Sequence, residues 1–255
     1  QIEMPAVPFI PFEERDPWSQ RYYQLIRQDE HHVTDEMILS ARHAYYGMVS
    51  YVDEKIGRIL NVLKETGLED NTVVVFCGDH GEMLGERGMW FKQSFYEWSA
   101  RVPLIISAPE KYAPRRVKDC VSLVDLLPTL VGIGGGKVRL PCDGESLEPA
   151  LKGAATRDLV ISDYYGIGPC VPYRMVRQGQ FKLIYTHGHL DLLYDLEADP
   201  HELQNLADVP AYTGTHERLK AIPLDGWNPD EIDTQIRTSQ AERLFLKTTP
   251  GVPED

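Results

Sequence analysis

The stretch Thr72–Lys92, TVVVFCGDHGEMLGERGMWFK, decides the expected fold. Its apolar run Val73–Cys77 has no polar alternation and ends at Gly78. An uninterrupted β-branched run is typical of a strand that is buried on both faces of a parallel sheet. Asp79 and His80 follow at once, and ligands of open α/β sheets bind beyond the carboxyl ends of the strands. The pair therefore indicates half of a metal or catalytic site, or a turn in which the carboxylate caps the next helix.

The composition is that of a globular chain with an acidic excess. Its 255 residues suffice for one large domain, or for a domain with an appendage; 42% are hydrophobic and 25% are charged. Lys and Arg number 26 against 39 Asp and Glu, which gives a net charge of −13. We therefore expect no nucleic acid and no membrane among the partners, since no apolar run approaches the roughly 20 residues that span a bilayer.

Four widely spaced cysteines, Cys77, Cys120, Cys142 and Cys170, form no CxxC pair. This spacing favours a reducing compartment over a disulfide framework. We therefore expect a cytoplasmic location, and the periplasm stays open because any signal peptide would precede Gln1. Cys77 is expected to lie buried in the apolar strand as a small hydrophobe.

A proline-rich segment and a long helix precede the central stretch. Gln1–Ser19 holds four prolines, so we expect an extended segment lying over a surface, either a linker or the middle of a larger domain. Thr34–Thr66 is predicted to be a helix with Thr34 as its N-cap and Gly67 beyond its end. Its apolar stripe recurs at steps of three and four: Ile38, Ala41, Tyr45, Met48, Val52, Ile56, Ile59 and Leu63. Helix, short loop and strand form an αβ unit, which predicts an α/β fold.

After the central stretch the chain changes from alternating elements to a meander. Val102–Ser107 is predicted to be a strand and Val121–Val131 a helix, and Gly132–Gly136 a loop or helix end rather than a phosphate cradle. A short strand is predicted at Leu159–Ser162, followed by an antiparallel meander of strands at Tyr173–Val176, Phe181–Tyr185 and Leu192–Leu196.

The change in texture near residue 157 indicates two domains. We expect residues 1–156 to form one domain, and 157–255 a smaller antiparallel subdomain. A polar helix at Pro229–Leu246 is predicted to end the subdomain. Its thin apolar stripe makes this tail a candidate interface.

Asp79, His80 and Lys92 are the candidate site residues. A carboxylate beside an imidazole suits a divalent cation, and the imidazole favours Mn²⁺ or Zn²⁺ over Mg²⁺ or Ca²⁺. Two ligands are too few, so others must come from elsewhere in the chain or from another chain. The glycines between His80 and Lys92 would let the loop fold back and bring the ammonium towards an anionic substrate. By spacing alone, an exposed lysine is the simpler interpretation. Glu82, Glu86 and Arg87 are interpreted as loop charges and salt-bridge partners rather than as metal ligands.

Several segments resemble the sulfatases of the alkaline-phosphatase superfamily, in particular the choline-sulfatase and phosphonate-monoester-hydrolase branch. GDHGEMLGERGMWFKQSFYEWSARVPLII resembles their second signature segment, and AYYGMVSYVDEKIGRIL and SLVDLLPTLVGI resemble the helices on either side. RMVRQGQFKLIYTHG and LYDLEADPHELQNLA resemble the C-terminal subdomain, and RTSQAERLFL the choline-sulfatase-like tail. These segments occur in the family's order over nearly the whole chain.

The resemblance implies a doubly wound, mostly parallel sheet with a smaller C-terminal antiparallel subdomain, residues 1–156 being the C-terminal portion of the α/β core. It also implies hydrolysis of a sulfate ester with one divalent cation, expected to be Ca²⁺ or Mn²⁺. In such enzymes the nucleophile is a formylglycine made from Cys or Ser in a C-x-P-x-R motif. Asp79 and His80 match metal-ligand positions, and Lys92 matches the lysine that contacts the sulfate oxygens.

One C-x-P-x-R pentapeptide is present, at Cys170–Arg174. In the family the motif lies far before the GDHG segment, at a strand-to-helix junction, whereas here it follows that segment and runs into a predicted hairpin. We therefore reject Cys170 as the nucleophile. The nucleophile, its arginine and two acidic ligands are expected on an N-terminal half that precedes Gln1, so this chain alone is expected to be inactive.

The expected substrate is a small sulfate ester such as choline sulfate. Asp163, Tyr164 and Tyr165, in the stretch Asp163–Gly168, offer a carboxylate and two rings for a quaternary ammonium. Expected partners are this substrate, the N-terminal half, and a second copy of the chain bound through the tail. Two alternatives stay open: a phosphonate monoester or phosphodiester hydrolase, and a non-catalytic subunit that pairs with a partner chain.

Overall fold

A computed structural model describes residues 2–166, 171–224 and 226–248 of the chain. The chain divides into two compact units. Unit 1 comprises Gln1–Lys118 and Leu123–Thr156, and unit 2 comprises Asp119–Ser122 and Arg157–Asp255. Among the residues in the described ranges, no helix is long and apolar enough to cross a bilayer.

Unit 1 contains five α-helices among its described residues and one two-stranded sheet. Its helices are α1 (Pro17–Leu25), α2 (Asp35–Glu65), α3 (Glu97–Ala100), α4 (Leu126–Ile133) and α5 (Glu148–Leu151). Its strands are β1 (Val74–Cys77) and β2 (Leu104–Ser107), which pair antiparallel with Cys77 opposite Leu104. Asp79 follows the end of β1 by two residues, so the candidate pair lies at the end of this sheet.

The strand predicted at Val73–Cys77 is present, but its surroundings differ from the prediction. β1 pairs antiparallel with β2, and both sheets of the described residues are antiparallel. Phe76 is 38% exposed, and Cys77 is exposed as well. The expectations of a parallel sheet around this strand and of a buried Cys77 therefore need correction for this chain. An uninterrupted apolar run indicates that both faces favour burial, but it specifies neither what covers them nor the direction of the neighbouring strand. The mixed α/β class is confirmed.

The long helix predicted at Thr34–Thr66 is confirmed as α2. The Thr34 hydroxyl accepts a hydrogen bond from the Met37 N–H at 3.3 Å, and Gly67 follows the end of the helix with a φ of +70°. Its apolar side chains are largely exposed in this chain, and Ile59 is 64% exposed. Arg42 is the one residue of α2 that is buried. Part of the predicted stripe is therefore left uncovered by unit 1: Met48, Val52 and Ile59 are exposed, whereas its other members are half-buried.

The proline-rich N-terminal segment packs into unit 1 and ends in a helix that the sequence analysis did not predict. Residues 2–16 are non-helical apart from one 3-10 turn at Phe12–Glu14. α1 begins at Pro17, and the carboxylate of Asp16 caps it by accepting a hydrogen bond from the Ser19 N–H at 3.0 Å. Asp followed by Pro at the first helical position was the available signal. Val7, Trp18 and Tyr22 are buried.

Unit 2 contains the predicted antiparallel meander. Its strands are β3 (Leu159–Tyr164), β4 (Tyr173–Gln178), β5 (Phe181–Thr186) and β6 (Leu192–Asp195), and each pairs with the next in chain order. The helices are α6 (Thr213–Leu224), which packs on β4 and β5, and α7 (Pro229–Thr248), the predicted tail helix. The antiparallel meander predicted over Tyr173–Leu196 is confirmed.

A core of buried apolar side chains holds unit 2 together. It comprises Val176, Leu183, Leu193, Leu206 and Leu219. Unit 2 also contains a buried ion pair: the ammonium of Lys182 pairs with the carboxylate of Glu202, and both side chains are 0% exposed. Two charges so fully removed from water are tolerated because each neutralises the other.

Candidate active site

Asp79 and His80 form a compact pair after β1. The His80 N–H donates to Asp79 Oδ1 at 2.9 Å, and His80 Nε2 lies 3.4 Å from Asp79 Oδ2. The Asp79 side chain is 88% exposed. The hydrogen bond from the His80 N–H is the main cause that lowers the pKa of Asp79 below its ordinary value. The carboxylate is therefore held ionised, in the form that binds a cation.

The imidazole of His80 is oriented by the main chain. His80 Nδ1 lies 2.8 Å from the carbonyl oxygen of Gly81, which can only accept, so Nδ1 carries the proton and Nε2 keeps its lone pair when the ring is neutral. Metal-ligating histidines commonly donate their second nitrogen to a backbone carbonyl in this way.

The two donors fit a divalent cation but do not complete its shell. Two ligands about 2.1 Å from a tetrahedral cation lie about 3.4 Å apart, and so do two ligands about 2.4 Å from a larger cation at a right angle. The 3.4 Å between His80 Nε2 and Asp79 Oδ2 matches both arrangements and does not select the metal. Within the described ranges, no group of three or more Asp, Glu, His or Cys side chains could hold a metal.

The segment Gly81–Gln93, called the 81–93 loop below, folds back on itself as predicted. The Met83 N–H donates to the Phe91 carbonyl at 2.7 Å, and the Gly85 N–H donates to the Met89 carbonyl at 2.9 Å. These bonds bring the end of the loop to its beginning.

Glu82 closes the same loop through the main chain. Its Oε1 accepts from the Phe91 N–H at 2.6 Å and from the Leu84 N–H at 3.2 Å. We interpreted Glu82 from the sequence as a salt-bridge partner; the structure assigns its carboxylate to these two N–H groups instead. Such contacts depend on loop conformation, which spacing alone does not give.

Lys92 lies near the Asp79-His80 pair. The positive charge of Lys92 adds to the lowering of the pKa of Asp79 that the His80 N–H causes. Lys92 is half-buried, and in the described part of the chain its ammonium has no hydrogen-bond or ion-pair partner. The structure thus brings Asp79, His80 and Lys92 into one neighbourhood and leaves the ammonium available.

Gly81 fixes the direction in which the chain leaves the site. Its N–H donates to the Ser99 carbonyl at 2.8 Å, and a Cβ at this position would lie 1.9 Å from the Trp98 carbonyl oxygen. Only glycine permits this approach of the loop to α3. Gly78 differs, because a Cβ there would meet ordinary van der Waals contacts.

Glu86 anchors the loop to the N-terminal segment and to α2. Its carboxylate accepts from the Ala6 N–H at 3.1 Å and from the Val7 N–H at 2.8 Å, and it pairs with Arg42 at 3.4 Å. Both charged side chains are buried. The interpretation of Glu86 as a salt-bridge partner is confirmed, and its partner is a residue that lies 44 positions earlier.

Tyr45 also lies beside the candidate site. Burial raises the pKa of its hydroxyl, and the charges of Glu82 and Asp79 raise it further. The ring lines a cavity of about 240 Å³, together with Arg42, Tyr46 and Trp98. From the sequence we placed Tyr45 only in the apolar stripe of α2, because helical periodicity carries no signal of a neighbouring loop.

The residues proposed for choline recognition lie in unit 2 and are already paired. Both oxygens of Asp163 bind the guanidinium of Arg174, with Oδ2 2.6 Å from Nη2. Arg174 also lies 4.0 Å above the Trp227 ring, and the Trp227 Nε1–H donates to the Tyr165 hydroxyl at 2.9 Å. The carboxylate of Asp163, which we expected to bind the quaternary ammonium, is therefore already bound to the guanidinium of Arg174. Ile167 and Gly168, the end of that stretch, lie outside the described residues.

The C-x-P-x-R pentapeptide leads into β4. Cys170 lies outside the described residues, and Tyr173 and Arg174 are the first two residues of the strand. β4 and β5 form the hairpin that was predicted, with Tyr173 opposite Thr186. The side chain of Arg174 binds Asp163, as described above.

Two family models match the chain. The sulfatase model covers residues 11–136, and the model of the C-terminal region of N-sulphoglucosamine sulphohydrolase covers residues 85–224. The second match alone spans more than half of the chain. The chain belongs to the sulfatase family.

Individual sulfatases agree with this assignment. Choline-sulfatase from Rhizobium meliloti (strain 1021) is 39% identical over 248 residues, which cover 95% of this chain and 48% of the relative. Arylsulfatase K from Rattus norvegicus is 35% identical over 186 residues, which cover 68% of this chain and 33% of the relative. This sulfatase chain therefore spans between a third and a half of the length of these two relatives.

The fold is shared with a solved phosphonate monoester hydrolase from Silicibacter pomeroyi. The TM-score is 0.75 at 28% identity, over 88% of this chain and 50% of that chain. The match agrees with the branch that the sequence segments resemble.

Proposed function

We propose that this chain is part of a metal-dependent hydrolase of small sulfate esters. Asp79 and His80 would supply two metal ligands, and the Lys92 ammonium would contact the sulfate oxygens. One observation supports this assignment best: three groups lie close together after β1. They are the ionised carboxylate of Asp79, the imidazole of His80 with its Nε2 lone pair available, and the ammonium of Lys92, whose charge lowers the pKa of Asp79.

The proposed reaction breaks the S–O bond to the alcohol, adds the elements of water, and releases the alcohol and inorganic sulfate. Negative charge collects on the ester and sulfate oxygens as that bond breaks, and Lys92 would stabilise it. A bound divalent cation, Ca²⁺ or Mn²⁺, would polarise those oxygens, and a formylglycine outside this chain would provide the nucleophile.

We propose that the remaining ligands and the nucleophile come from an N-terminal half of the same enzyme. Two observations support this: the chain spans 48% of the choline-sulfatase to which it is similar, and α2 exposes a stripe of large apolar side chains. Residues 1–156 would be the C-terminal portion of the α/β core, and 157–255 the subdomain with the tail. Covering the stripe with the missing part would remove apolar surface from water.

Metal analysis tests the ligand assignment. The protein that contains this chain together with the N-terminal half is produced as wild type, Asp79→Ala and Asp70→Ala, and its bound metal is measured by mass spectrometry. Asp70 is an exposed carboxylate in the loop before β1, so it is the matched control. Loss of metal from Asp79→Ala alone supports the assignment, and unchanged metal content in Asp79→Ala refutes it.

Turnover of two ester classes separates the main proposal from its alternative. The fold match to a phosphonate monoester hydrolase favours that alternative, since the same residues would contact phosphonate oxygens. The complete protein should hydrolyse an aryl or choline sulfate more efficiently than the corresponding phosphonate ester. The reverse ranking would replace the proposal by the alternative, and absence of both activities would favour a non-catalytic subunit.

Choline sulfate is proposed as the first substrate to test because a choline-sulfatase is 39% identical to this chain. The Asp163–Arg174 pair does not support the site that the sequence indicated for the ammonium.

We also propose that the chain self-associates through α7, since Leu244, Phe245 and Leu246 are exposed near its end. Light scattering on Phe245→Asp would show a smaller mass than wild type if α7 forms the interface. A cytoplasmic location remains part of the proposal, and fractionation of cells that produce the protein would test it.

A further inference from the structure

Lys92 lies between two residues with an unusual backbone conformation. Phe91 has a φ of +65° and Gln93 a φ of +71°. Residues other than glycine rarely adopt positive φ, and they remain there only where their surroundings impose it. The main chain on both sides of Lys92 is therefore held by specific contacts.

The loop itself holds the residue before Lys92. Both main-chain polar groups of Phe91 are used: its N–H donates to Glu82 and its carbonyl accepts from the Met83 N–H. Both of these hydrogen bonds are formed within the 81–93 loop.

A different element holds the residue after Lys92. The Trp18 Nε1–H donates to the Gln93 carbonyl at 2.6 Å, and the Tyr22 hydroxyl donates to Gln93 Oε1 at 2.7 Å. Both aromatic residues belong to α1, and each is 4% exposed. The cap of α1 is fixed to the same region, because Asp16 Oδ2 accepts from the Tyr96 hydroxyl at 2.9 Å. α1 thus binds both the main chain and the side chain of Gln93.

We propose that α1 is a positioning element for the ammonium of Lys92, and that Trp18 and Tyr22 are positioning residues that act through Gln93. The inference rests on the proposed role of Lys92 as the contact to the ester oxygens. It adds that this contact needs a helix some 70 residues earlier in the chain, which touches neither the metal ligands nor the substrate in the proposed arrangement.

The flexibility of the lysine side chain explains why the backbone on both sides of Lys92 has to be fixed. An ammonium on four methylenes is a mobile point charge, and its position is only as well defined as the backbone from which it extends. A misplacement of about 1 Å at a reacting group can cost about a hundredfold in rate. Holding Phe91 from the loop and Gln93 from α1 restricts the backbone between them without using any donor of the ammonium itself.

Tyr22→Phe in the complete enzyme tests the proposal. It removes one hydroxyl and leaves the ring, and Tyr23→Phe is the matched control. Tyr23 is the next residue of α1; its ring contacts Phe12 and Arg15, and its hydroxyl is not a contact of Gln93. We expect Tyr22→Phe to lower kcat/KM for an aryl sulfate about fivefold to tenfold, as for the loss of one hydrogen bond, and Tyr23→Phe to match wild type.

Combination with Lys92→Ala separates positioning from general stability. If Tyr22 acts through Lys92, Tyr22→Phe should cause no further loss in the Lys92→Ala background. Tyr22→Phe should also weaken competitive inhibition by inorganic sulfate in the enzyme that retains Lys92, and should leave it unchanged in the Lys92→Ala variant. An equal loss in both backgrounds, or a Tyr22→Phe enzyme that matches Tyr23→Phe, would overturn the inference.

The same experiment distinguishes failure of the proposed function. A Lys92→Ala enzyme with wild-type turnover of the sulfate ester would refute the role of Lys92 itself, whereas an impaired Lys92→Ala enzyme with an additive Tyr22→Phe effect would refute only the role of α1.

Discussion

Units 1 and 2 each contain a buried ion pair, but they differ in how they cover apolar surface. Unit 2 encloses its own core, and its most deeply buried charges, Lys182 and Glu202, neutralise each other. Unit 1 leaves several apolar side chains of α2 exposed. Its polar groups form hydrogen bonds that fix the conformation of the 81–93 loop. The difference indicates that unit 2 is stabilised largely by itself, and that unit 1 is arranged to present Asp79, His80 and Lys92.

The largest effect is expected from breaking the buried pair of unit 2. Lys182→Leu would leave the Glu202 carboxylate buried without its partner, at a cost of about 3–5 kcal/mol in the free energy of unfolding. Lys152→Leu is the contrast in unit 1, because Lys152 and Glu148 form an exposed pair worth at most about 1 kcal/mol. Urea denaturation measures both, and equal losses would contradict the expected difference between a buried and an exposed ion pair.

Lys92→Ala should separate activity from stability. Removing a charge that stabilises the developing oxygens is expected to lower kcat for the sulfate ester by about 100- to 1000-fold in the complete protein. The free energy of unfolding should stay within about 0.5 kcal/mol of wild type, because the ammonium makes no hydrogen bond or ion pair within the described residues. Steady-state kinetics and urea denaturation of one preparation provide the measurement. A large loss of stability would assign Lys92 to the fold rather than to the site.

The exposed stripe of α2 predicts a context-dependent effect. Ile59→Ala should change the free energy of unfolding by less than about 0.5 kcal/mol in this chain alone, since the side chain is 64% exposed. In the complete protein the same change should cost more, about 2 kcal/mol, if the N-terminal half covers the stripe. Leu193→Ala in the core of unit 2 is the control, with a similar cost in both samples. Equal effects of Ile59→Ala in both samples would contradict the proposed cover.

The smallest expected effect concerns the charge of Asp79. In the metal-free protein its carboxyl should titrate below the ordinary value of 3.8, because the His80 N–H binds the ionised form. A lowered pKa favours folding above 3.8, and this contribution is lost as the pH falls through the native midpoint. Carbon-13 NMR should show a modest rise of the midpoint in Lys92→Ala, still below 3.8 because the main cause is the backbone N–H. A native midpoint above 3.8 would contradict the geometry of the pair.

Elements with local signals were predicted well. α2 has the predicted caps at Thr34 and Gly67, and the meander of unit 2 has its strands where alternation and turn residues placed them. α1 was missed although Asp16 and Pro17 mark its start, because the prolines before it dominated the interpretation. The parallel pairing expected around β1 was wrong for this chain, since strand direction depends on residues far away in sequence.

In the candidate site, too, the features with local sequence signals were predicted and those that depend on distant residues were not. Asp79 and His80 follow a strand, so residue type and order sufficed to single them out, and the resemblance to sulfatases added Lys92. The hydrogen bonds that shape the site were not predictable, because they join segments far apart in the sequence. Glu86 binds the main chain of Ala6 and Val7, and Gln93 binds Trp18 and Tyr22, which lie more than 70 residues earlier. The pairing of Asp163 with Arg174 likewise depends on the register of β3 against β4.

The family, the strand end with its Asp-His pair, the long helix and the meander could all be predicted, because adjacent residues and short periodicities encode them. Which carboxylates are exposed and which are bound within the chain becomes visible only in the folded molecule: Asp79 is exposed, whereas Glu82, Glu86 and Asp163 are bound within the chain. It is likewise only in the folded molecule that α1 holds Gln93 beside Lys92. The physical reason is that hydrogen bonds between distant segments form only after the chain has folded, and they leave no periodic trace in the sequence.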